Sequence, residues 1–195
     1  MNAVHTLDCR LGLSEEAVSV LRAGDAVELT GVVWSFRDAT AARLVRSLEA
    51  SEPMPVDLRH QVLYAVGPSP AKPGHVVGSA GPTTTARMAR FLPGLLGAGV
   101  RAVMGKGELH GADAEAFVRN RAVYLAAVGG LGALLARQIT AATVEAYPDL
   151  GPEALYRLQI VAFPAVVIID TEGQNFHEQA RARWRRSPER LPRSR

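Results

Sequence analysis

Apolar and polar positions divide this chain into short alternating blocks. Ser14 followed by Glu15 and Glu16 predicts a capped helix start, running through Val18 and Leu21 to Gly24. The Gly24–Asp25 turn then opens a strand over Ala26–Val33. Asp38 is expected to cap a second helix, in which Leu44, Val45 and Leu48 recur at helical spacing. A second strand is expected over Gln61–Val66, and the PSPAKPG that follows is too proline-restricted for regular structure. Val76–Val77 predict a short strand before the glycine-rich turn 78–81, and Pro82 fits the first turn of a helix reaching about Arg90. Ala102–Met104, Val123–Ala126 and Ala165–Ile169 read as buried strands, separated by helical patterns over 112–119 and 130–138. Interleaving of this kind predicts an α/β fold, with residues 1–178 as one domain and 179–195 as an appended tail.

Charge changes the picture of that tail. The 195 residues carry a formal +3, but residues 181–195 (RARWRRSPERLPRSR) hold seven arginines against one glutamate. The remainder keeps 15 of the 22 basic and 18 of the 19 acidic residues, so the body is mildly acidic and the tail alone is basic. A segment with so little apolar surface cannot offset its ordering entropy, and a disordered, solvated extension is expected. Contact with an acidic partner or nucleic acid is the alternative for the tail, and for nothing else in the chain. No stretch approaches the roughly 18 apolar residues of a membrane span. The start, MNAVHTLDC, lacks the charged and apolar regions of a secretory signal, so a cytoplasmic location is expected. Cys9 is the single cysteine, and it cannot by itself form an internal disulfide, a zinc finger or an iron–sulfur site.

Two glycine motifs fail on inspection. Gly130-Leu131-Gly132 follows an apolar strand, but position 135 is Leu where a dinucleotide fingerprint needs its third glycine. Tight strand-to-helix packing is the reading that remains. Gly105-Lys106-Gly107 resembles a phosphate loop, yet Gly99 is one residue too far upstream and position 107 is not Ser or Thr.

A set of loop-borne cations survives. Arg37 ends a strand, Arg87 follows Thr83–Thr85 at an expected helix start, and Lys106 sits between two glycines after a strand. Thr83 and Arg87, four apart, would share one helix face, and the helix start would add free N–H groups. Two arginine forks and a lysine point charge describe a site for a small di-anion. Spacing carries the reading no further than anion binding.

The segments VGPSPAKPG, GSAGPTTTARM, MGKG, YLAAVGG, DLGPEALYRL and FPAVVIID, in this order, resemble the β subunit of class I iron–sulfur fumarate hydratases. The same unit is the C-terminal domain of single-chain members, and the β subunit of L-tartrate dehydratase is a relative. The resemblance runs from about Thr6 to Phe176. It implies a swivelling β/β/α domain that closes over a cluster-bearing α subunit, in αβ units that assemble further. It also implies a hydro-lyase that interconverts fumarate and malate and is inactive without its partner. A 4Fe-4S cluster held by the partner's cysteines would act as Lewis acid on the substrate while a base removes the β-proton. By similarity Thr83 takes the base position, and Arg37, Arg87 and Lys106 bind the dicarboxylate. A threonine hydroxyl is a poor base and needs cationic neighbours to favour its alkoxide.

The chain departs from the family pattern at Ala41, Ala89, Glu108-Leu109 and Val161-Ala162. A tartrate or other hydroxy-diacid dehydratase is therefore a second reading. A non-catalytic anion-binding module built on the same fold is a third.

Overall fold

The computed structural model describes residues 4–185; the rest of the expected tail, 186–195, lies outside the described residues. The strands are β1 (Val4–Cys9), β2 (Ala26–Phe36), β3 (Val62–Ala65), β4 (Ala102–Gly105), β5 (Val123–Ala126), β6 (Ile139–Ala146) and β7 (Leu155–Ile169). The helices are α1 (Glu15–Ser19), α2 (Asp38–Glu49), α3 (Leu92–Gly97), α4 (Ala112–Arg119), α5 (Gly132–Ala136) and α6 (Phe176–Trp184). Two 3₁₀ segments, Thr85–Phe91 and Pro148–Glu153, complete the path.

β2, β3, β4 and β5 run parallel, in register from Trp34–Phe36 across Leu63–Ala65, Ala102–Gly105 and Val123–Ala126. β7 then pairs antiparallel with β5 through its last residues and with β2 through Arg157–Val166. That second pairing closes β2-β3-β4-β5-β7 into a barrel. β1 extends β2 on one side and β6 extends β7 on the other. The fold is thus a single mixed α/β domain, as the interleaved pattern predicts.

Alternation along the strands separates two cores. Val62, Tyr64, Ala102, Met104, Val123 and Leu125 point into one core, together with Leu29, Phe163 and Val167. Leu63, Ala65, Val103 and Tyr124 point the other way, against Leu44 of α2, Leu92, Leu95 and Leu96 of α3 and Phe117 of α4. β3 and β4 are buried throughout, which is why they read as unbroken apolar runs.

Several expectations are corrected. β1 and β6 have no forerunner in the pattern, and β7 is three times the expected Ala165–Ile169. β6 has mostly exposed positions, so burial leaves almost no mark on its sequence. Val76–Val77 form no strand; Val77 is buried as part of a loop. The helix expected from Pro82 begins only at Thr85, because Thr83–Thr85 is held extended by β3 and β4, as described below. Arg37, not Asp38, is the N-cap of α2, and Asp38 is its first helical residue. The tail is helical at first: α6 carries the chain through Trp184, where solvated disorder was expected from residue 179. The cap at Ser14 is as expected, its side chain accepting from the Ala17 N–H at 3.1 Å. Gly132 packs tightly, but against the loop 78–81 and not against a strand, since a Cβ there would stand 2.9 Å from the Gly81 nitrogen.

Candidate active site

The carboxyl ends of parallel strands are where α/β sheets hold ligands, because the loops there diverge and leave a crevice. Arg37 follows the last residue of β2 and Lys106 the last residue of β4. Thr83 reaches the same end by a different route. Its N–H donates to the carbonyl of Ala65, the last residue of β3, at 2.7 Å. Its carbonyl accepts from the Lys106 N–H at 3.3 Å, and the Thr85 N–H donates to the Lys106 carbonyl at 2.9 Å. Thr84 and Lys106 thus form a parallel bridge, and residues 83–85 act as a short splint between the ends of β3 and β4.

The splint fits because Gly105 has no side chain. A Cβ at this position would lie 2.0 Å from Thr85 Oγ1 and 3.2 Å from the Ala65 Cβ. Tyr124 locks the arrangement from beneath. Its phenol sits 3.1 Å from Thr85 Oγ1 and 3.0 Å from the Gly107 carbonyl, and so ties the splint to the turn bearing Lys106. Burial pushes the Tyr124 phenol up to about 12, so it stays neutral and keeps its proton for this contact.

The arginines are held differently. The Arg87 N–H bonds the Thr84 carbonyl at 3.3 Å, one turn beyond the splint, and its Nη2 lies 3.1 Å from Asp38 Oδ2. The Arg87 side chain is 55% exposed, so solvent screens the contact, which is worth at most about 1 kcal/mol, and Arg87 is easily released. Arg37 is only 26% exposed, and its Nη2 lies 3.3 Å from Glu153 Oε1. Gly67 leaves room beside it, since a Cβ there would stand 2.9 Å from Arg37 Cδ. Arg37 Nε and Asp38 Oδ2 are buried without a hydrogen-bond partner among the described residues. Such atoms raise the free energy until something satisfies them.

Structure therefore brings together all four residues singled out in the sequence, Arg37, Thr83, Arg87 and Lys106, at one end of the parallel strands. One supporting argument falls away. Thr83 and Arg87 do not share a helix face, and the Thr85 N–H at the helix start is already occupied by Lys106. Asp38, Gly67, Tyr124 and Glu153 were not singled out. Asp38 adjoins Arg37 and could have been marked as its neighbour; Glu153 lies within the DLGPEALYRL segment, but 116 positions away, with nothing local to tie it to Arg37.

The chain's own residues do not fit an iron–sulfur cluster. Cys9, the last residue of β1, is fully buried, and burial pushes its thiol up to about 11, which disfavours the thiolate a metal requires. No group of three His, Cys, Asp or Glu among the described residues is disposed to hold a metal. Two departures from the family pattern border the site, Ala41 with its N–H on the Arg37 carbonyl at 2.8 Å and Ala89 two residues after Arg87; the others map elsewhere. Glu108 pairs with Arg181 of α6, Leu109 is buried with its carbonyl 3.2 Å from Asn175 Nδ2, and together they dock the C-terminal helix. Ala162 sits at positive φ in β7 with its N–H on Thr30 Oγ1 at 3.0 Å.

Fold and site together define an α/β domain that gathers two arginines, a lysine and a threonine at one end of its parallel strands. Comparison with known proteins narrows that class. The chain belongs to the family described as the fumarase C-terminus, whose family model matches residues 2–180. It is 32% identical over 155 residues to the anaerobic class I fumarate hydratase of Escherichia coli, covering 78% of this chain. It is 34% identical over 155 residues to the mitochondrial fumarate hydratase 1 of Leishmania major, again over 78% of this chain. In both cases it spans only 28% of the relative's length. A Methanocaldococcus jannaschii protein provisionally named L(+)-tartrate dehydratase subunit beta is 33% identical over 173 residues, covering 86% of this chain and 89% of that one. No helix among the described residues is long and apolar enough to cross a membrane.

Proposed function

We propose that this chain is the β subunit of a hydro-lyase that hydrates fumarate reversibly to malate, in the cytoplasm, together with an α subunit that carries a 4Fe-4S cluster. The observation that carries the reading is the convergence of Arg37, Thr83, Arg87 and Lys106 at one open strand end of a domain belonging to the fumarase C-terminus family. The cluster supplies Lewis acidity at the substrate hydroxyl, and its ligands belong to the partner. The β chain is the swivelling domain that closes over it, and the αβ units assemble into a higher oligomer.

This chain's residues bind and position. A dicarboxylate carries two planar anions, and Arg37 and Arg87 offer two planar forks. Arg37 is the fixed one, restrained by Glu153 and nested against Gly67. Arg87 is the releasable one, its exposed fork exchanging the Asp38 carboxylate for a substrate carboxylate. Lys106 adds a point charge beside Thr83, to which its own backbone is bonded. In the dehydration direction Thr83 Oγ1, as the alkoxide that nearby cations favour, takes a proton from the methylene carbon of malate; the C–H electron pair becomes the double bond of fumarate as hydroxide leaves the neighbouring carbon, and hydration is the reverse. Holding both carboxylates against a fixed base turns binding energy into orientation.

Anaerobic reconstitution with the α subunit, followed by assays on malate, fumarate and tartrate, tests the reading. We expect the complex to turn over malate and fumarate, and the isolated chain to show no turnover. Hydratase activity of the purified chain alone would sink the two-subunit proposal. The second reading, a tartrate dehydratase β subunit, draws support from the Methanocaldococcus relative, a separate chain of similar length. Preference for tartrate in the same assay would select it. Arg87→Lys should lower kcat/KM by about 100-fold, roughly 2.7 kcal/mol, since a point charge cannot replace a bidentate fork. Near-normal kinetics would remove Arg87 from the carboxylate clamp.

A further inference from the structure

Glu153 lies in the DLGPEALYRL segment, 116 positions from Arg37, yet it touches the site at two points. One carboxylate oxygen, Oε2, accepts the Ala39 N–H of α2 at 3.0 Å; the other, Oε1, lies 3.3 Å from Arg37 Nη2. Arg37 occupies the N-cap of α2 and makes no side-chain cap bond of its own. A guanidinium at this place is repelled by the partial positive charge of the helix N-terminus, and free N–H groups there lack an acceptor. A single carboxylate delivered from a remote segment answers both needs.

The segment that delivers it is fastened at several points. Thr40 Oγ1 of α2 donates to the Glu153 carbonyl, and Ser35 Oγ of β2 donates to the Ala154 carbonyl at 3.1 Å. Arg43 of α2 holds Asp149 with an Nη1–Oδ1 distance of 2.8 Å. On the opposite flank, the Pro152 carbonyl would stand 3.0 Å from a Cβ at Gly67, the residue against which the Arg37 side chain lies. Arg37 is thus enclosed by Glu153 and Gly67, while its Nε still lacks an acceptor.

We infer that Glu153 is a positioning residue for Arg37: its carboxylate caps α2 from outside the helix and restrains the guanidinium that receives one carboxylate of the substrate. The inference rests on the proposed hydro-lyase reading for its kinetic consequence, but the restraint on Arg37 does not.

Three variants of the full chain separate capping from positioning. Glu153→Gln keeps an oxygen for the Ala39 N–H and removes the charge that faces Arg37. Glu153→Ala removes both, and Arg37→Gln removes the group being positioned. In the reconstituted complex we expect Glu153→Gln to raise KM for the dicarboxylate about tenfold, with Tm unchanged, whereas Glu153→Ala also lowers Tm. Because the glutamate acts through the arginine, adding Glu153→Gln to Arg37→Gln should change KM no further. Wild-type kinetics in Glu153→Gln, or additive effects in the double variant, would overturn the inference and leave Glu153 a helix cap. Nitrogen-15 NMR of the Arg37 side chain in the free chain reads the restraint without any turnover. The Nη2 group that Glu153 faces should rotate slowly and give resolved Nη–H resonances in the wild type, and be averaged by fast rotation in Glu153→Gln; equal behaviour in both overturns the positioning role. If the wild-type complex turns over none of the three diacids, the hydro-lyase reading fails and the NMR result alone decides the role of Glu153.

Discussion

Replacing Thr83 by Ala should lower kcat of the reconstituted complex by about 10²–10⁴-fold while leaving the fold and the assembly with the α subunit intact. The expectation separates cleanly because Thr83 serves structure through its backbone and chemistry through its side chain. The bonds that place it, to the Ala65 carbonyl and from the Lys106 N–H, are main-chain bonds that alanine keeps. The side chain is partly exposed and lies outside both cores, so its loss leaves little cavity. The measurement is single-turnover hydration of fumarate beside a melting curve and a size-exclusion profile. KM should move little, since the arginines and lysine that hold the substrate are untouched. An active Thr83→Ala complex would exclude the hydroxyl as base.

Gly105→Ala should produce the opposite pairing of effects, damaging stability and activity together. The new methyl would meet Thr85 Oγ1 at 2.0 Å, in a place where Thr85 is fully buried and Tyr124 closes the other side. Overpacking of this kind costs about 1–3 kcal/mol, and for a domain of this size each kcal/mol lowers Tm by about 2–4 °C. The strand cannot give way, because β4 is buried between β3 and β5. The splint must therefore move, carrying Thr83 away from Lys106. We expect kcat/KM to fall by at least about tenfold, in line with the cost of a displaced base. A second change, Thr85→Ala, removes the clashing oxygen and should restore part of the lost Tm. Unchanged Tm and kinetics in Gly105→Ala would mean that the splint is not held against β4 as described.

How much of this was legible beforehand differs from element to element. β3, β4 and β5 are continuous apolar runs because both of their faces are covered, and both the runs and their order were readable. The first helix announced itself through Ser14 and two acidic residues. β6 was silent, since an edge strand with most side chains in solvent needs no apolar alternation. β7 showed only its buried end, as the half that pairs β6 alternates with exposed positions. Thr83 illustrates a different limit. A proline followed by three threonines matches a helix start by local preference, but the carboxyl ends of β3 and β4 offered those residues backbone partners. Tertiary hydrogen bonds then outweighed the local preference.

The identity of the four site residues was determined by the sequence alone. Arginine, threonine and lysine on glycine- and proline-rich turns are chemical facts of residue type, and their motifs persist whatever the packing. Only the tertiary structure decided how each is held. Arg37 is anchored and Arg87 loosely paired because the Arg37 side chain is 26% exposed against 55% for Arg87, and because Glu153 is itself bonded to α2; burial belongs to the folded chain. Residue 153 lies beside residue 37 only because β7 returns along β2, a pairing between segments more than a hundred positions apart that leaves no periodic trace in either one.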